Sequence, residues 1–405
     1  GSSESLYFRQ GLGFDSVPGM PFAYWLPEGV IPTFLQADSV SVLGGNVEVG
    51  LSTKNDRRFV RAWWEVPFEG SAIDRRWTPY DKGGEYSPFY FPVDLVVLTE
   101  NGMAEIDAEV CHKFPYLNGN SSWVVHPEAH YGNPGASFQM LTTKDLAPRV
   151  MPSGCVFYIA VTAESSEDRI TPLLLTGYLN SSYARVVVDA LVGGGGDTLK
   201  NYEKGVVERV PVPTLGPRER HLISDLAAEA ANSRLNGYYR YVEPASTFLG
   251  LPLTGSIEGI AGFLEERCRC SRDTQESCLT EIDVIVGASF RFSEHTAALI
   301  RSLARTDLAL PSWTVEDVSD ALLSLLVGIT FGRYDIDACQ VVDDAADCLD
   351  RPRGLGAQKS SAISLFVDDQ GAKGDIVAAI ERTAEALLGG KNDDLFREML
   401  SVITN

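Results

Sequence analysis

Two short stretches govern both the fold of this chain and what it can bind: GLSTKNDRRFVRAWWEV at residues 50–66 and WTPYDKGGEY at residues 77–86. Between residues 51 and 82, seven Lys and Arg residues stand against five Asp and Glu residues, although the whole chain has a net charge of −21. Guanidinium groups form paired hydrogen bonds with phosphates or guanine edges, and an Asn amide does so with adenine. The two stretches therefore predict a local surface for a polyanion.

The same residues allow a plainer interpretation, in which the first stretch is a solvated helix start above a buried Trp pair. We predict that Trp63 and Trp64 belong to the core and its flank, and not to a base-stacking platform. The turn before the cations could present a helix N-terminus to a phosphate. The candidate nucleic-acid contacts in the two stretches are Lys54, Asn55, Arg57, Arg58, Arg61, Tyr80, Lys82 and Tyr86.

Composition limits the class of protein. With 405 residues, of which 44% are hydrophobic and 22% charged, the chain is long enough for two or three domains with ordinary cores. No apolar run reaches the roughly 18 residues that a membrane-spanning helix needs, and the odd cysteine count of seven favours reduced thiols. We therefore expect a cytoplasmic protein without a membrane partner. Because the net charge of the chain is strongly negative, any DNA-binding surface must be confined to a local basic face.

Three clusters resemble metal sites by composition only, and one of them is His112, His126 and His130 on polar loop sequence. The cysteines between residues 268 and 278, with His295, lack the paired two-residue spacing of structural zinc sites. Glu105, Asp107, Glu109 and Lys113 resemble a nuclease cluster, but the acids alternate as on a solvated strand face and no second motif supports two-metal chemistry. We predict neither a metal site nor a catalytic residue in this chain.

An α+β fold is predicted, in which a mixed α/β half precedes a mainly helical half. Alternating β-rich segments predict a hairpin over residues 40–49 and strands over residues 93–98 and 156–161. Asn101–Gly102 is a hairpin-type turn pair. Residues 171–191 have the apolar spacing of a helix.

The periodicity becomes helical after a run of prolines at residues 211–217. Thr314 precedes Asp317 by three residues, which predicts a capping box at a helix start. The predicted helices of this half cover residues 221–236, 256–267, 276–288, 293–305, 314–328 and 374–388.

Several stretches, taken in order, resemble the target-recognition half of PglX-type adenine-specific DNA methyltransferases of BREX phage-defence systems. They resemble type IIG restriction-modification enzymes more loosely. The resemblance covers roughly residues 17–385. Besides the two opening stretches, it rests on VPGMPFAYWL at residues 17–26, LLTGYLNSS at 174–182, TLKNYEKG at 198–205, VPVP at 210–213, VGITFGRYDID at 327–337 and FVDD at 366–369.

The resemblance also implies what this chain lacks. Adenine methyltransferases need a Gly-rich loop for S-adenosylmethionine and an Asn/Asp-Pro-Pro-Tyr/Phe motif for the flipped adenine, and neither motif is present. The chain therefore resembles the specificity portion of an enzyme whose catalytic domain, with its S-adenosylmethionine, lies elsewhere. Lys200, Asn201 and Lys204 match a region that returns toward the DNA in such proteins.

The resulting organisation is a tag or linker at residues 1–16, a DNA target-recognition domain at 17–215, a helical domain at 216–342, a loop or linker at 343–361 and a C-terminal helical segment at 362–405. The expected partners are double-stranded DNA, the catalytic methyltransferase domain and other defence-system proteins. We predict that this chain alone is inactive as a methyltransferase. Two alternatives stay open at this point: a protein-interaction scaffold, and a specificity subunit encoded separately from its methyltransferase.

Overall fold

The structure is a computed structural model that describes residues 17, 25–27, 29–42, 44–66, 76–127, 129–163, 171–193, 199–253, 255–304, 307–334, 375–388 and 393–403. The predicted leading segment at residues 1–16 and the predicted linker at residues 343–361 lie outside these residues, as does the matching stretch at residues 366–369.

Short strands and helices alternate in the first half and long helices fill the second, so the predicted α+β class is confirmed. The strands are β1 Asp38–Ser39, β2 Gly45–Val49, β3 Val60–Ala62, β4 Trp77–Asp81, β5 Leu95–Leu98, β6 Gly135–Ser137, β7 Leu141–Thr142, β8 Arg149–Met151, β9 Val156–Phe157, β10 Ile159–Ala163, β11 Lys200–Asn201 and β12 Pro211–Val212. The helices are α1 Thr33–Gln36, α2 Asp56–Phe59, α3 Glu100–Lys113, α4 Ser122–Val125, α5 Pro172–Asn180, α6 Ser182–Val192, α7 Lys204–Val207, α8 Pro217–Arg234, α9 Ile257–Ser289, α10 Glu294–Leu303, α11 Val315–Thr330, α12 Ile376–Leu388 and α13 Asp393–Ile403. In the described part of the chain, no helix is both long enough and apolar enough to span a membrane.

Two four-stranded sheets organise the first half. One has the order β2-β10-β6-β8 and is antiparallel throughout. The other has the order β3-β5-β4-β9 and is antiparallel except for the parallel β4–β9 pair. Strand β3 is an edge strand of the second sheet and follows α2 directly, so the cation-rich stretch lies at that edge.

The hairpin predicted for residues 40–49 is wrong. The chain does turn there, since Gly44 adopts a φ of 92° and the Gly45 N–H donates to Val40 O at 3.0 Å. However, β2 pairs with β10, with Val47 opposite Val161, while β1 pairs with β12. Both valines are buried, so the burial of distant apolar side chains decides the strand partner.

The predicted acidic strand face is also wrong, because its residues lie on α3. Ile106 and Val110 are buried on one face of this helix, while Glu105 and Glu109 lie one turn apart on another. Asn101–Gly102 adopts left-handed φ values of 53° and 65°, which suits a turn pair. The pair opens α3 and does not join two strands.

Two helix predictions differ from the structure in where the helices break. Residues 171–191 form two helices, because Ser181 is extended and its side chain caps the second helix. Residues 256–267 and 276–288, by contrast, belong to the single helix α9 of 33 residues. The residues between them continue the buried helical face, and Gln275 is 0% exposed.

The other helix predictions are confirmed to within a few residues as α8, α10, α11 and α12. The capping box at α11 is confirmed in detail. The Asp317 N–H donates to Thr314 Oγ1 at 3.1 Å, and the Thr314 N–H donates to Asp317 Oδ2 at 2.8 Å. Such contacts span only three residues, which is why the sequence alone predicts them.

The largest hydrophobic core runs across the proline-rich segment at residues 211–217. Its buried members include Val161 and Leu179 from the first half and Ile223 and Ile282 from the second. Helix α5 packs closely on α8, since a Cβ on Gly177 would lie 2.8 Å from Ile223 Cγ2. The change in composition therefore falls inside a shared core, and the domain boundary at residue 215 stays a prediction.

A further contact between the two halves forms around a Trp pair. Trp63 is 3% exposed, and its Nε1–H donates to Pro244 O at 2.8 Å. Arg333 pairs with the buried carboxylate of Glu243, and its guanidinium carbon lies 4.5 Å from the centroid of the Trp64 ring. Trp63 is thus a core residue and Trp64 lies at its flank, as predicted.

We expect Asp94→Asn, at this same junction, to stabilise the protein at neutral pH. Burial raises the pKa of Asp94 from 3.8 to about 6, and hydrogen bonding from Ser246 offsets only part of that increase. Because the folded pKa lies above the unfolded one, protonated Asp94 contributes stability that is complete below pH 3.8 and is lost as the pH rises through about 6. An Asn keeps an acceptor for the Ser246 N–H, which lies 2.6 Å from Asp94 Oδ1, and carries no charge.

Urea unfolding of the variant and the parent at several pH values measures this effect. The variant should gain about 2 kcal/mol above pH ~7 and almost nothing below pH ~4, because partial exposure reduces the full value of 1.36 kcal/mol per pKa unit. A gain that does not change with pH would contradict the assignment.

Candidate nucleic-acid interface

The basic turn, residues 54–61, is held in place by buried groups on both sides. Leu51 and Phe59 are each 0% exposed. The Tyr80 phenol donates to Leu51 O at 2.6 Å and so fixes the backbone just before the turn. These anchors leave the long cationic side chains of the turn at the surface.

The turn does not provide the helix N-terminus considered as a phosphate site. Helix α2 has only four residues, and Asn55 at its N-cap position makes no side-chain cap hydrogen bond. Lys54, just before it, adopts a left-handed φ of 56°. A single helical turn has little macrodipole, so any anion here would be held by side chains.

Lys54 and Arg57 are the two cations most available to a ligand. Both are exposed, and neither has a carboxylate partner among the described residues. Lys54 uses its backbone carbonyl, not its ammonium group, in its contact with Lys113. Their charges are therefore not neutralised by this part of the chain, despite the net charge of −21.

Arg58 and Asn55 are engaged by the acidic face of α3. Arg58 Nη1 lies 2.7 Å from Glu109 Oε2, and Arg58 Nη2 lies 3.3 Å from Glu105 Oε2. Asn55 Nδ2 donates to Glu109 Oε1 at 3.0 Å. The hydrogen bond from Asn55 lowers the pKa of Glu109 most, followed by the charge of Arg58, so Glu109 stays ionised at neutral pH. A phosphate that binds Arg58 must compete with these carboxylates.

Lys82 and Arg61 are two further cations beside the basic turn and within it, and both are partly engaged by other groups. Lys82 forms an ion pair with Asp56. Burial opposes ionisation of Asp56, yet hydrogen bonds from Lys82 and Thr53 outweigh it and lower the pKa of that carboxyl group. Arg61 Nη1 donates to Arg57 O at 2.9 Å, and its guanidinium carbon lies 5.9 Å from the Trp77 ring centroid.

Lys113 belongs to the same surface, although no DNA contact was predicted for it from the sequence. Its Nζ donates to Lys54 O at 2.8 Å, so the last turn of α3 meets the basic turn. The missed signal is that Glu105, Glu109 and Lys113 recur every four residues, which places them on one helical face. The cationic surface, defined here as Lys54, Arg57, Arg58, Arg61, Lys82 and Lys113, thus carries six cations. Among the described residues, three carboxylates form ion pairs with it: Asp56, Glu105 and Glu109.

The two predicted tyrosines are poorly placed for DNA contacts. Tyr80 is 1% exposed and its phenol is hydrogen-bonded inside the protein, so it is a core residue and the surface role predicted for it is wrong. Tyr86 is partly buried, and Lys144 Nζ lies 5.7 Å from its ring centroid. Between them, Gly84 has a φ of 51° and a Cβ there would lie 2.4 Å from the Phe91 ring, so the loop needs glycine for packing.

Of the predicted contacts at residues 200–204, Lys200 and Asn201 lie on β11, which pairs with β7, and Lys204 begins α7. Lys200 is 6% exposed, and its ammonium group lies 2.7 Å from Asp145 and 2.9 Å from Asp189. It is therefore a buried, neutralised cation, and the DNA contact predicted for it is wrong. Asn201 bonds to Glu203 at 2.5 Å, while Lys204 is exposed and lies 3.5 Å from Glu208.

Among the described residues, no group of three or more His, Cys, Asp and Glu side chains could hold a metal ion. The cysteines of α9 face different directions, since Cys268 and Cys278 are buried while Cys270 is exposed. The cationic surface itself contains no thiol or imidazole and is suited to binding an anion through charge and hydrogen bonds.

Sequence comparison finds similarity to two known enzymes over part of the chain. No protein-family model matches the chain. It is 22% identical to the adenine-specific methyltransferase PglX of Lacticaseibacillus casei (strain Zhang) over 197 residues. The aligned part covers 46% of this chain and 16% of that protein. It is 26% identical to the adenine-specific methyltransferase BrxX of Escherichia coli O9:H4 (strain HS) over 227 residues. The aligned part covers 54% of this chain and 16% of that protein.

Each match thus spans about one sixth of the relative's own length. Two relatives with the same named activity match about half of this chain each, and the resemblance seen in the sequence points to the same group. The chain is therefore related to the PglX- and BrxX-type adenine-specific methyltransferases.

Proposed function

We propose that this chain is a DNA target-recognition region of a BREX-like adenine-specific methyltransferase. In this proposal the cationic surface holds the phosphate backbone of double-stranded DNA and fixes the register of the protein on the duplex. S-adenosylmethionine and the methyl-transfer chemistry belong to a catalytic portion outside the 405 residues, which contain neither of the motifs that this chemistry needs.

One observation carries the proposal. Lys54 and Arg57 are exposed cations without a carboxylate partner in the described part of a chain with 55 acidic residues. In such a chain, isolated basic side chains are readily neutralised by nearby acids, as Arg58 and Lys82 are here. A cationic surface with two unneutralised members suits a ligand that supplies negative charges at fixed spacing, which a DNA backbone does.

Equilibrium binding to duplex DNA over a salt series tests the proposal directly. Each phosphate contact contributes about −0.9 to the slope of log affinity against log salt, so two to five contacts predict a slope of about −2 to −4.5. A flexible polyglutamate of equal charge serves as the control, because it offers carboxylates without the spacing of a duplex. Absence of saturable DNA binding at the lowest salt, or equal affinity for polyglutamate, would overturn the proposal and favour the interaction scaffold.

A further inference from the structure

The loop between α3 and α4 lies in one of several stretches of this acidic chain that contain no acidic residue. Residues 110–127 contain no Asp or Glu, although the chain has 55 acidic residues. Within this segment, residues 115–123, PYLNGNSSW, which include the first two residues of α4, form what we call the asparagine loop. Tyr116 is 67% exposed and Trp123 is 52% exposed, and Asn118 and Asn120 are exposed between them. The loop therefore presents amide and aromatic groups to solvent, while Ser121 Oγ donates a hydrogen bond to the carboxylate of Asp107 at its edge.

Local contacts give the asparagine loop a defined shape. Leu117 is buried in the same core cluster as Phe59 of the basic turn. Asn118 has a left-handed φ of 50°, and the Asn120 N–H donates to Leu117 O at 2.9 Å. Asn120 Oδ1 then accepts from the Ser122 N–H at 3.0 Å. The side chain of Asn120 thus supports the loop, while Asn118 projects from its turn.

The asparagine loop adjoins the cationic surface on two sides. The Ser52 N–H donates to Val124 O at 3.2 Å, which ties the segment just before the basic turn to α4. On the other side Lys113, whose Nζ bonds to Lys54 O, lies 5.8 Å from the Phe114 ring centroid. A molecule that lies on Lys54 and Lys113 therefore reaches the asparagine loop without a break in the surface.

We propose that the asparagine loop reads base edges of duplex DNA, with Asn118 as the base-contacting residue. The amide of Asn118 has no hydrogen-bond partner in the described part of the chain, so both its donor and its acceptor are available to a ligand. An amide with both groups free matches the N6 donor and N7 acceptor of adenine in the major groove. Tyr116 and Trp123 supply apolar contact on either side, as with a thymine methyl group. Asn55 is a weaker candidate, because Glu109 already binds its amide nitrogen.

This inference rests on the proposed function, and the experiment separates the two. The chain is bound to a pool of duplexes with randomised positions, and the recovered sequences give the base preference at each position. Asn118→Gly is the first variant, because glycine adopts the left-handed φ of this position without strain. It should reduce discrimination at one base pair by about tenfold, with an unchanged salt slope. Gln36→Ala, which removes an exposed amide on α1, is the matched control.

Asn118→Asp gives a result that misfolding cannot produce. A carboxylate accepts from cytosine N4 and has no donor for adenine N7, so the preference at that base pair should move from adenine toward cytosine. If the parent binds DNA with the expected salt slope but neither variant changes any base preference, the inference fails and the proposed function stands. Equal weakening on all sequences also defeats the inference, and absence of DNA binding by the parent defeats both.

Discussion

Replacing Lys54 and Arg57 together by alanine is expected to reduce the slope of log affinity against log salt by about 1.8, and to weaken all duplex sequences alike. Both cations are exposed and lack carboxylate partners among the described residues. Each phosphate they hold therefore releases condensed counterions at about 0.9 per contact. Fluorescence anisotropy with two unrelated duplexes over a salt series measures the slope and shows whether the loss depends on sequence.

Arg58→Ala should reduce the affinity for DNA less than the loss of Lys54 or of Arg57 does. Its guanidinium already lies 2.7 Å from Glu109 and 3.3 Å from Glu105, so a phosphate gains only the difference between its own contact and theirs. Glu109→Gln should have the opposite sign and strengthen binding about threefold at low salt, since it removes a negative charge beside the cationic surface.

A double variant of Arg218 and Arg382 to alanine is the matched control. Both are exposed cations, on α8 and α12, so the net charge changes equally while the cationic surface stays intact. If this control lowers the salt slope as much as the Lys54 and Arg57 pair does, the effect is one of overall charge. The basic turn would then lose its assignment as a DNA contact.

The second large effect is expected from Asp81→Ala, which should lower the free energy of unfolding by about 3–5 kcal/mol. Arg149 is 1% exposed, and its Nη2 lies 3.7 Å from Asp81 Oδ1. Burial lowers the pKa of Arg149 and the charge of Asp81 opposes that shift, so removal of Asp81 leaves a buried guanidinium without its counter-charge. Urea unfolding measures the loss.

The Asp81–Arg149 pair also holds its neighbours in place. Arg149 Nη1 donates to Glu85 O at 2.9 Å, and its guanidinium carbon lies 5.0 Å from the Phe91 ring centroid. Asp81 accepts from Ser137 Oγ at 2.5 Å and from the Gly83 N–H at 3.2 Å. The pair thus fixes the loop that follows Lys82, and Asp81→Ala should disorder that loop as well as destabilise the core.

Two further variants test whether the loss of stability comes from leaving Arg149 buried without a counter-charge. The double change of Asp81 to leucine and Arg149 to methionine should recover most of the lost stability, because it removes both charges together. Glu100→Ala breaks an exposed pair, in which Arg76 and Glu100 are 68% and 47% exposed, and should cost less than about 1 kcal/mol. A loss below about 1 kcal/mol for Asp81→Ala would show that Arg149 needs no counter-charge.

The sequence by itself determined the features that depend on neighbouring residues. The capping box of Thr314 and Asp317 spans three positions, and the left-handed conformations at Asn101–Gly102 follow from the residues themselves. The α+β class and the relation to adenine-specific methyltransferases also followed from patterns along the chain, because periodicity and residue order are properties of the sequence.

Only the tertiary structure decided which predicted side chains can meet a ligand. Lys200 resembles Lys54 in sequence, yet its partner Asp145 is 55 residues away along the chain and neutralises it. Glu109 is likewise 51 residues from Arg58. Tyr80 became a core residue because its phenol reaches Leu51, and Lys113 joined the cationic surface because α3 is a helix whose last turn meets the basic turn. Exposure and charge pairing depend on residues that are distant in sequence. The local sequence pattern therefore identifies candidate side chains, and only the packing of the folded chain determines which of them are exposed and unpaired.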